Sequence, residues 1–319
     1  KMKLSNYPRP KEDNGRGIHW SPSTVHPTGK DLNPWLDELL GMNVKWVKLL
    51  DDGEGSSLEV CRRLARSEIM PIVRLYRRQP NPGALSRREG ETVRRLVEAG
   101  ARYFESNNEP DLPAEWQDER LPPDWLQIVV DQFIHDADLI LEAGGLPGLP
   151  ALSAGSPIDL VSLVVRAGRG DLFARGAWIA VHNYTLNRPL DYPLDPVNQE
   201  GAPLTRSEYE ALGPWAWDEQ PRQLINIWRR QEKHPGQTIE EASDCWRSFE
   251  LADLMAREAL GYSVPVIGTE GGVVIGWRDD RRYPRVTPEL HRDWTVQIND
   301  FMQREAPAYF FTTCHWLLA

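Results

Sequence analysis

Three short runs in this chain carry side chains able to do acid–base and nucleophilic chemistry. Asn108-Glu109-Pro110 closes an apolar run that starts at Tyr103, and Glu270 follows Val266-Ile267-Gly268-Thr269. His182-Asn183-Tyr184 closes a third run, Ala177 to Val181. Two carboxyls held face to face can split a glycosidic bond: one protonates the leaving oxygen, and the other attacks the anomeric carbon or activates water. Their separation sets the outcome, about 5–5.5 Å for retention and roughly 6.5–9.5 Å for inversion. Glu109 and Glu270 are far apart in sequence, so this chemistry demands a fold that gathers strand ends.

The chain alternates strand and helix signals throughout. Gly17 to Trp20 reads as a first strand, followed by a helix over 33–41 in which Asn33 caps, Pro34 takes the first position and Gly41 stops the turn. Val44 to Leu50 is the second strand, with a helix from Ser57, and Met70 to Tyr76 the third, with a helix over 89–99. The Glu109 run is the fourth. A long helix opens at Asp124 and ends at Gly144-Gly145; Pro150 to Ala154 reads as a weak fifth strand, and Ser156-Pro157 begins a helix through Val165. Ala177 to Tyr184 is the sixth strand. From Thr185 to Ser243 the rhythm breaks into a long Pro- and Trp-rich stretch, helical only over 224–231, and such loops are usually functional. A helix from Asp244 to Gly261, a seventh strand over 264–269, a helix opened by Thr287-Pro288 and an eighth strand over 308–318 complete the chain.

Eight strands alternating with seven helices is the pattern of an α/β protein, a (β/α)8 TIM barrel with parallel strands, here a single domain over 1–319. No eighth helix follows the last strand, which leaves it either beyond Ala319 or replaced by an amino-terminal segment covering strand 8. Function in this fold belongs at the carboxyl ends of the strands. Those ends carry His19 and Trp20, Lys48 and Asp51, Arg74 and Tyr76, Asn108 and Glu109, His182 and Tyr184, Glu270, and His315 and Trp316. Strands 4 and 7 lie three steps apart in a ring of eight, so Glu109 and Glu270 face each other across the mouth.

Asn108-Glu109-Pro110 on strand 4 with Thr269-Glu270-Gly271 on strand 7 resembles clan A of the glycoside hydrolases, the 4/7 superfamily of retaining β-glycosidases. The resemblance implies a double displacement with Glu109 as acid/base, Glu270 as nucleophile and Asn108 holding the sugar 2-hydroxyl. His182-Asn183-Tyr184 is similar to the His-x-Tyr of several clan families, which implies a Tyr184 hydroxyl on the nucleophile and His182 lining the adjacent subsite. Trp316 takes the place of a Trp under the sugar, and Arg74 that of an Arg steadying the nucleophile. The barrel pattern covers nearly the whole chain and the motifs about a dozen residues, so the family within the clan stays open. β-Linked glucose or mannose, in oligo- or polysaccharides, is the substrate this resemblance implies. No metal or other cofactor is called for.

Plainer readings stand beside these. Glu105 is read as pairing inside the barrel, Lys48 and Asp51 as a rim ion pair or site groups, and His19 and Trp20 as site lining or packing. Trp35, Trp125 and Trp294 on helices are core, whereas Trp215, Trp217 and Trp228 are sugar platforms or loop packing. Gly271-Gly272 gives room beside Glu270 rather than a phosphate cradle. Cys61, Cys245 and Cys314 are too few and too scattered for a disulfide framework or zinc site, and read as buried thiols.

The net charge of -10 argues against nucleic acid, and no apolar run is long enough to span a membrane. Lys1-Met2-Lys3-Leu4 has no signal-peptide character, which fits a cytoplasmic chain or a secreted mature form alike. Of the 13 Trp some must pack the core, and so many suit a surface of flat apolar faces, which sugar rings or a protein partner could meet. Three other functions compete: a non-catalytic carbohydrate-binding barrel, a metal-dependent sugar-converting barrel using Glu105, Glu109, His182 and Glu270, and a transglycosylase. The first has no need of both carboxyls, and the second leaves Asn108 and Pro110 unexplained. Endo or exo action and oligomeric state are not encoded legibly.

Overall fold

A computed structural model describes residues 1–77, 83–212 and 219–318. Its frame is a closed barrel of eight parallel strands in sequence order. They are β1 (Arg16–Trp20), β2 (Trp46–Asp51), β3 (Met70–Leu75), β4 (Tyr103–Glu105), β5 (Leu146–Leu149), β6 (Trp178–Tyr184), β7 (Val266–Gly272) and β8 (Phe310–Leu318). The helices are α1 (Asn33–Gly41), α2 (Leu58–Arg66), α3 (Arg87–Glu98), α4 (Trp125–Glu142), α5 (Leu160–Arg166), α6 (Asp171–Arg175), α7 (Pro196–Glu200), α8 (Arg206–Glu210), α9 (Glu219–Gln231), α10 (Ser248–Leu260) and α11 (Pro288–Arg304). None of the described helices is long and apolar enough to cross a membrane.

Strand alternation builds two cores from one sequence. Val47, Leu49, Val73, Leu75 and Phe104 point outward and pack under α1 to α3 through Leu36, Leu39, Val60, Leu64, Val93 and Leu96. Their neighbours in sequence point to the axis. The floor of the barrel is Trp46, Ile72, Tyr103, Trp178, Ile267 and Phe311, with the Tyr103 ring 5.5 Å from Trp46 and 5.7 Å from Trp178. Above this apolar floor the axis-facing positions turn polar: His19, Lys48, Arg74 and Glu105.

Several elements differ from the expected ones. β5 is Leu146–Leu149, not 150–154. Gly144 and Gly145, the turn that ends α4, lead straight into it. Gly148 is required there because a Cβ would lie 2.5 Å from the Trp178 ring. The helix expected from Ser156 starts at Leu160, where the Asp159 side chain accepts from Ser162 N–H at 2.9 Å, and the short α6 follows it. Asn33 lies inside α1 and accepts from Arg63 rather than capping; the left-handed stop falls on Asn43, not Gly41. Where expectation held, the local chemistry is visible: Ser86 and Glu89 form a capping box on α3, and Gly261 ends α10 in the left-handed region.

The amino-terminal segment covers the floor and reaches β8 there, with the Tyr7 ring 6.3 Å from that of Phe311. Tyr7 O–H donates to Ala177 O at 3.1 Å, Tyr103 O–H to Pro8 O at 2.6 Å, and Trp46 Nε1–H to Asp13 Oδ1 at 2.9 Å. Arg9 lies over the Phe311 ring. The stretch between β6 and α10 holds α7, α8 and α9 around small cores of its own, one of Leu204, Tyr209, Leu212 and Ile225. Asn187, Asn198, Asp280 and Arg282 bind it to the loop after β7 through buried hydrogen bonds. It is a packed wall beside the mouth.

Candidate active site

Glu270 sits near the end of β7, where the ladder is irregular on both sides: pairing with β6 shifts between Val181 and His182, and pairing with β8 shifts between Gly268 and Gly271. That irregularity lets two consecutive side chains face the axis, which a regular strand forbids. Thr269 Oγ1–H donates to Glu105 Oε1 at 2.9 Å, and Glu270 Oε1 accepts from Arg74 Nη1 at 3.3 Å. Tyr184 O–H donates to the other oxygen, Oε2, at 3.2 Å, and His19 Nε2 lies 3.8 Å from Oε1.

Glu109 follows β4 with φ of 37°, a left-handed conformation unusual for a residue with a side chain. Its N–H donates to Ala151 O at 3.0 Å, in the loop after β5. Its carboxylate meets His182, whose Nδ1 is 2.6 Å from Glu109 Oε1 and 3.8 Å from Glu270 Oε2. Those two distances together hold these carboxylate oxygens no more than about 6.4 Å apart.

The electrostatics separate the groups. Burial alone would raise the Glu270 carboxyl, but His182, Arg74, Lys48 and His19 outweigh it and hold it at about 2. Burial alone would lower His182, and the Glu270 charge, then the bond to Glu109, carry it above the ordinary imidazole range. Burial and the Lys48 charge push His19 down to about 3, so it is neutral near pH 7. Burial and the Glu270 charge raise Tyr184, which keeps its hydroxyl a donor.

Of the expected site residues, Asn108, Glu109, Glu270, His182, Tyr184, Arg74 and His19 converge. Trp316 is partly exposed, its ring 4.7 Å from that of His19. Trp20 does not join them. As the outward neighbour of His19 it is 2% exposed, packed against Trp35 at 5.7 Å and His26 at 6.3 Å, so its reading as a substrate contact is corrected. Glu105 pairs with the buried Lys48. Asp51 is not Lys48's partner: it accepts from Gly53, Gly55 and Ser57 N–H at 2.8, 3.1 and 2.9 Å and ties the loop into α2. Gly271 and Gly272 make room for protein, not substrate, since Cβ atoms there would lie 2.5 Å from Asn183 Oδ1 and 2.5 Å from His315 Nδ1.

Trp228 packs in the β6–β7 wall with Arg281 over its ring, and Trp215 and Trp217 lie outside the described residues. The three cysteines are buried and free. Among the described residues, no three His, Cys, Asp or Glu are grouped to hold a metal ion. Two neighbours escaped the sequence reading. Glu115, in the loop after β4, accepts from Asn108 Nδ2 at 2.8 Å, and the Trp277 ring lies 5.4 Å from that of Tyr184. Both sit in loops, where neither periodicity nor a strand end marks them.

No family model and no curated protein matches this chain. Solved structures similar to it include a family 51 α-L-arabinofuranosidase from Bifidobacterium longum, with a TM-score of 0.49 and 11% identity over 97% of this chain and 67% of that one. A GH128 (subgroup I) endo-β-1,3-glucanase from Amycolatopsis mediterranei has a TM-score of 0.44 and 13% identity over 96% and 89% of the two chains. An endo-β-1,4-mannanase from Thermotoga petrophila has a TM-score of 0.35 and 13% identity over 97% and 69%.

Proposed function

We propose that this barrel, residues 1–319 as one catalytic domain, is a retaining glycoside hydrolase that cleaves β-glycosidic bonds in oligo- or polysaccharides. The observation that carries the reading is the Glu109–Glu270 pair, both of whose carboxylates meet His182 Nδ1, at 2.6 and 3.8 Å, with Glu270 held ionised. A retaining pair stands about 5–5.5 Å apart and an inverting one roughly 6.5–9.5 Å; the strand-4 and strand-7 motifs, which resemble those of retaining enzymes, favour the first.

In the first step, Glu270 attacks the anomeric carbon while Glu109 gives its proton to the departing oxygen; the bond to the leaving group breaks and a glycosyl ester forms on Glu270. His182 Nδ1, 2.6 Å from Glu109 Oε1, orients the Glu109 carboxyl for this transfer. In the second step, Glu109 takes a proton from water, the water oxygen bonds to the anomeric carbon, and Glu270 is released. Glu109 thus serves as acid in the first step and as base in the second. Asn108 takes the sugar 2-hydroxyl and Trp316 the ring face, while Arg74 and Tyr184 hold the nucleophile. The strand-4 and strand-7 motifs resemble those of enzymes acting on β-linked glucose or mannose, and these are the substrates proposed.

The test is a screen of aryl β-glycosides, β-glucans and β-mannans with wild type and Glu270→Ala. Cleavage by wild type, lost in the variant, is expected. Equal cleavage by both would remove Glu270 from the chemistry.

A further inference from the structure

We propose that Glu115 is a positioning residue that locks the Asn108 carboxamide with one amide hydrogen aimed at the substrate's 2-hydroxyl. This rests on the glycosidase reading above. A carboxamide has one acceptor oxygen and two hydrogens on nitrogen, and the two ends have nearly the same shape. Left alone, an Asn side chain at a strand end can present either end to a sugar. Here both ends are claimed. Arg74 donates to Asn108 Oδ1, and a guanidinium has no acceptor, so a flipped amide would set N–H against N–H. On the other side, Asn108 Nδ2 donates one hydrogen to Glu115 Oε1 at 2.8 Å. With the oxygen and one hydrogen fixed, the direction of the second hydrogen is fixed too.

The loop that carries Glu115 is built to hold it. Leu112 N–H donates to Glu109 O at 2.9 Å, Glu115 N–H to Leu112 O at 3.1 Å, and the buried Trp116 Nε1–H to Pro110 O at 2.8 Å. The acid/base and Glu115 therefore ride on one hydrogen-bonded turn. From Glu115 the chain of contacts runs through Asn108 and Arg74 to Glu270. The contact borders a small polar cleft of about 50 Å³, whose described lining includes Tyr76, Arg77 and Ser106. That is room for water and not for a sugar ring, so Glu115 acts on the substrate through Asn108.

The test compares an aryl β-glycoside with its 2-deoxy analogue. Glu115→Leu is expected to lower kcat/KM on the 2-hydroxy substrate by about 10–100-fold, the range set by one charge-assisted hydrogen bond. On the 2-deoxy substrate the expected change is under about threefold, because the aimed hydrogen has nothing to meet. Glu115→Gln, whose amide oxygen still accepts, should restore most of the loss. Equal losses on both substrates would make Glu115 merely structural, and no loss on either would remove it from the site; both overturn the proposal. The lock can be read without substrate from the Asn108 side-chain amide by NMR: its hydrogens should exchange faster in Glu115→Leu, and unchanged exchange overturns it. Undiminished activity in Glu270→Ala would instead sink the glycosidase reading and leave the lock standing.

Discussion

Arg74→Met should move the acid limb of activity upward. Arg74 Nη1 lies 3.3 Å from Glu270 Oε1, and both side chains are about a tenth exposed, so the pair is poorly screened. At that distance an effective dielectric of about 20 gives an attraction of about 5 kcal/mol, against which the cost of burying both charges must be set. A carboxylate beside an arginine is typically held down by about 1–3 pH units net. Glu270 is held at about 2 in the intact site, and removing Arg74 leaves His182 and Lys48 in place. The sign follows from which form reacts: Glu270 must be ionised to attack, so activity falls as pH drops through its folded value. Wild type should show a flat kcat/KM on the acid side down to the pH where the protein unfolds. Arg74→Met should show a limb at roughly pH 3–5. The assay is kcat/KM against pH on an aryl glycoside, with folding followed in parallel by circular dichroism. An acid limb unmoved in Arg74→Met would refute the electrostatic role given to this arginine.

Tyr184→Phe removes the 3.2 Å bond to Glu270 Oε2; kcat/KM should fall about 10–100-fold with the melting temperature nearly unchanged. Lys48→Met leaves the buried Glu105 carboxylate without its partner and should cost about 3–5 kcal/mol in urea unfolding, much of it regained in Lys48→Met/Glu105→Leu. Gly271→Ala places a Cβ 2.5 Å from Asn183 Oδ1 and 2.8 Å from Asn183 O; it should lower stability by about 1–3 kcal/mol and activity with it, and an unchanged melting temperature would contradict that contact.

The barrel and its carboxyl pair were legible because each depends on a strong local signal. Apolar runs that end in Glu109, His182 and Glu270 mark strand ends, and counting the runs places them on the ring. β5 was misplaced because its four residues, Leu146–Leu149, include Pro147 and Gly148 and follow two glycines, all turn signals. Only the Trp178 ring, contributed by β6, explains that glycine. Trp20 packs against Trp35 rather than lining the site, at a ladder irregularity between His19 and Trp20 that the sequence does not signal. Lys48 pairs with Glu105 and not with Asp51 because charge type says nothing of direction: Lys48 points to the axis and Asp51 binds its own loop. Glu115 and Trp277 reach the site on loops whose course is set by tertiary contacts.

The central claim is that Glu270 becomes covalently bound to sugar. Incubation with 2,4-dinitrophenyl 2-deoxy-2-fluoro-β-glucoside and the corresponding mannoside, followed by peptide mass spectrometry, reads this directly, because the fluorine slows both formation and release of the ester while the dinitrophenolate leaving group keeps formation fast. A fluoroglycosyl adduct on the peptide holding Glu270, absent in Glu270→Ala, is the result predicted. Turnover of the unfluorinated glycoside with inverted anomeric configuration, or an adduct on another residue, would contradict it.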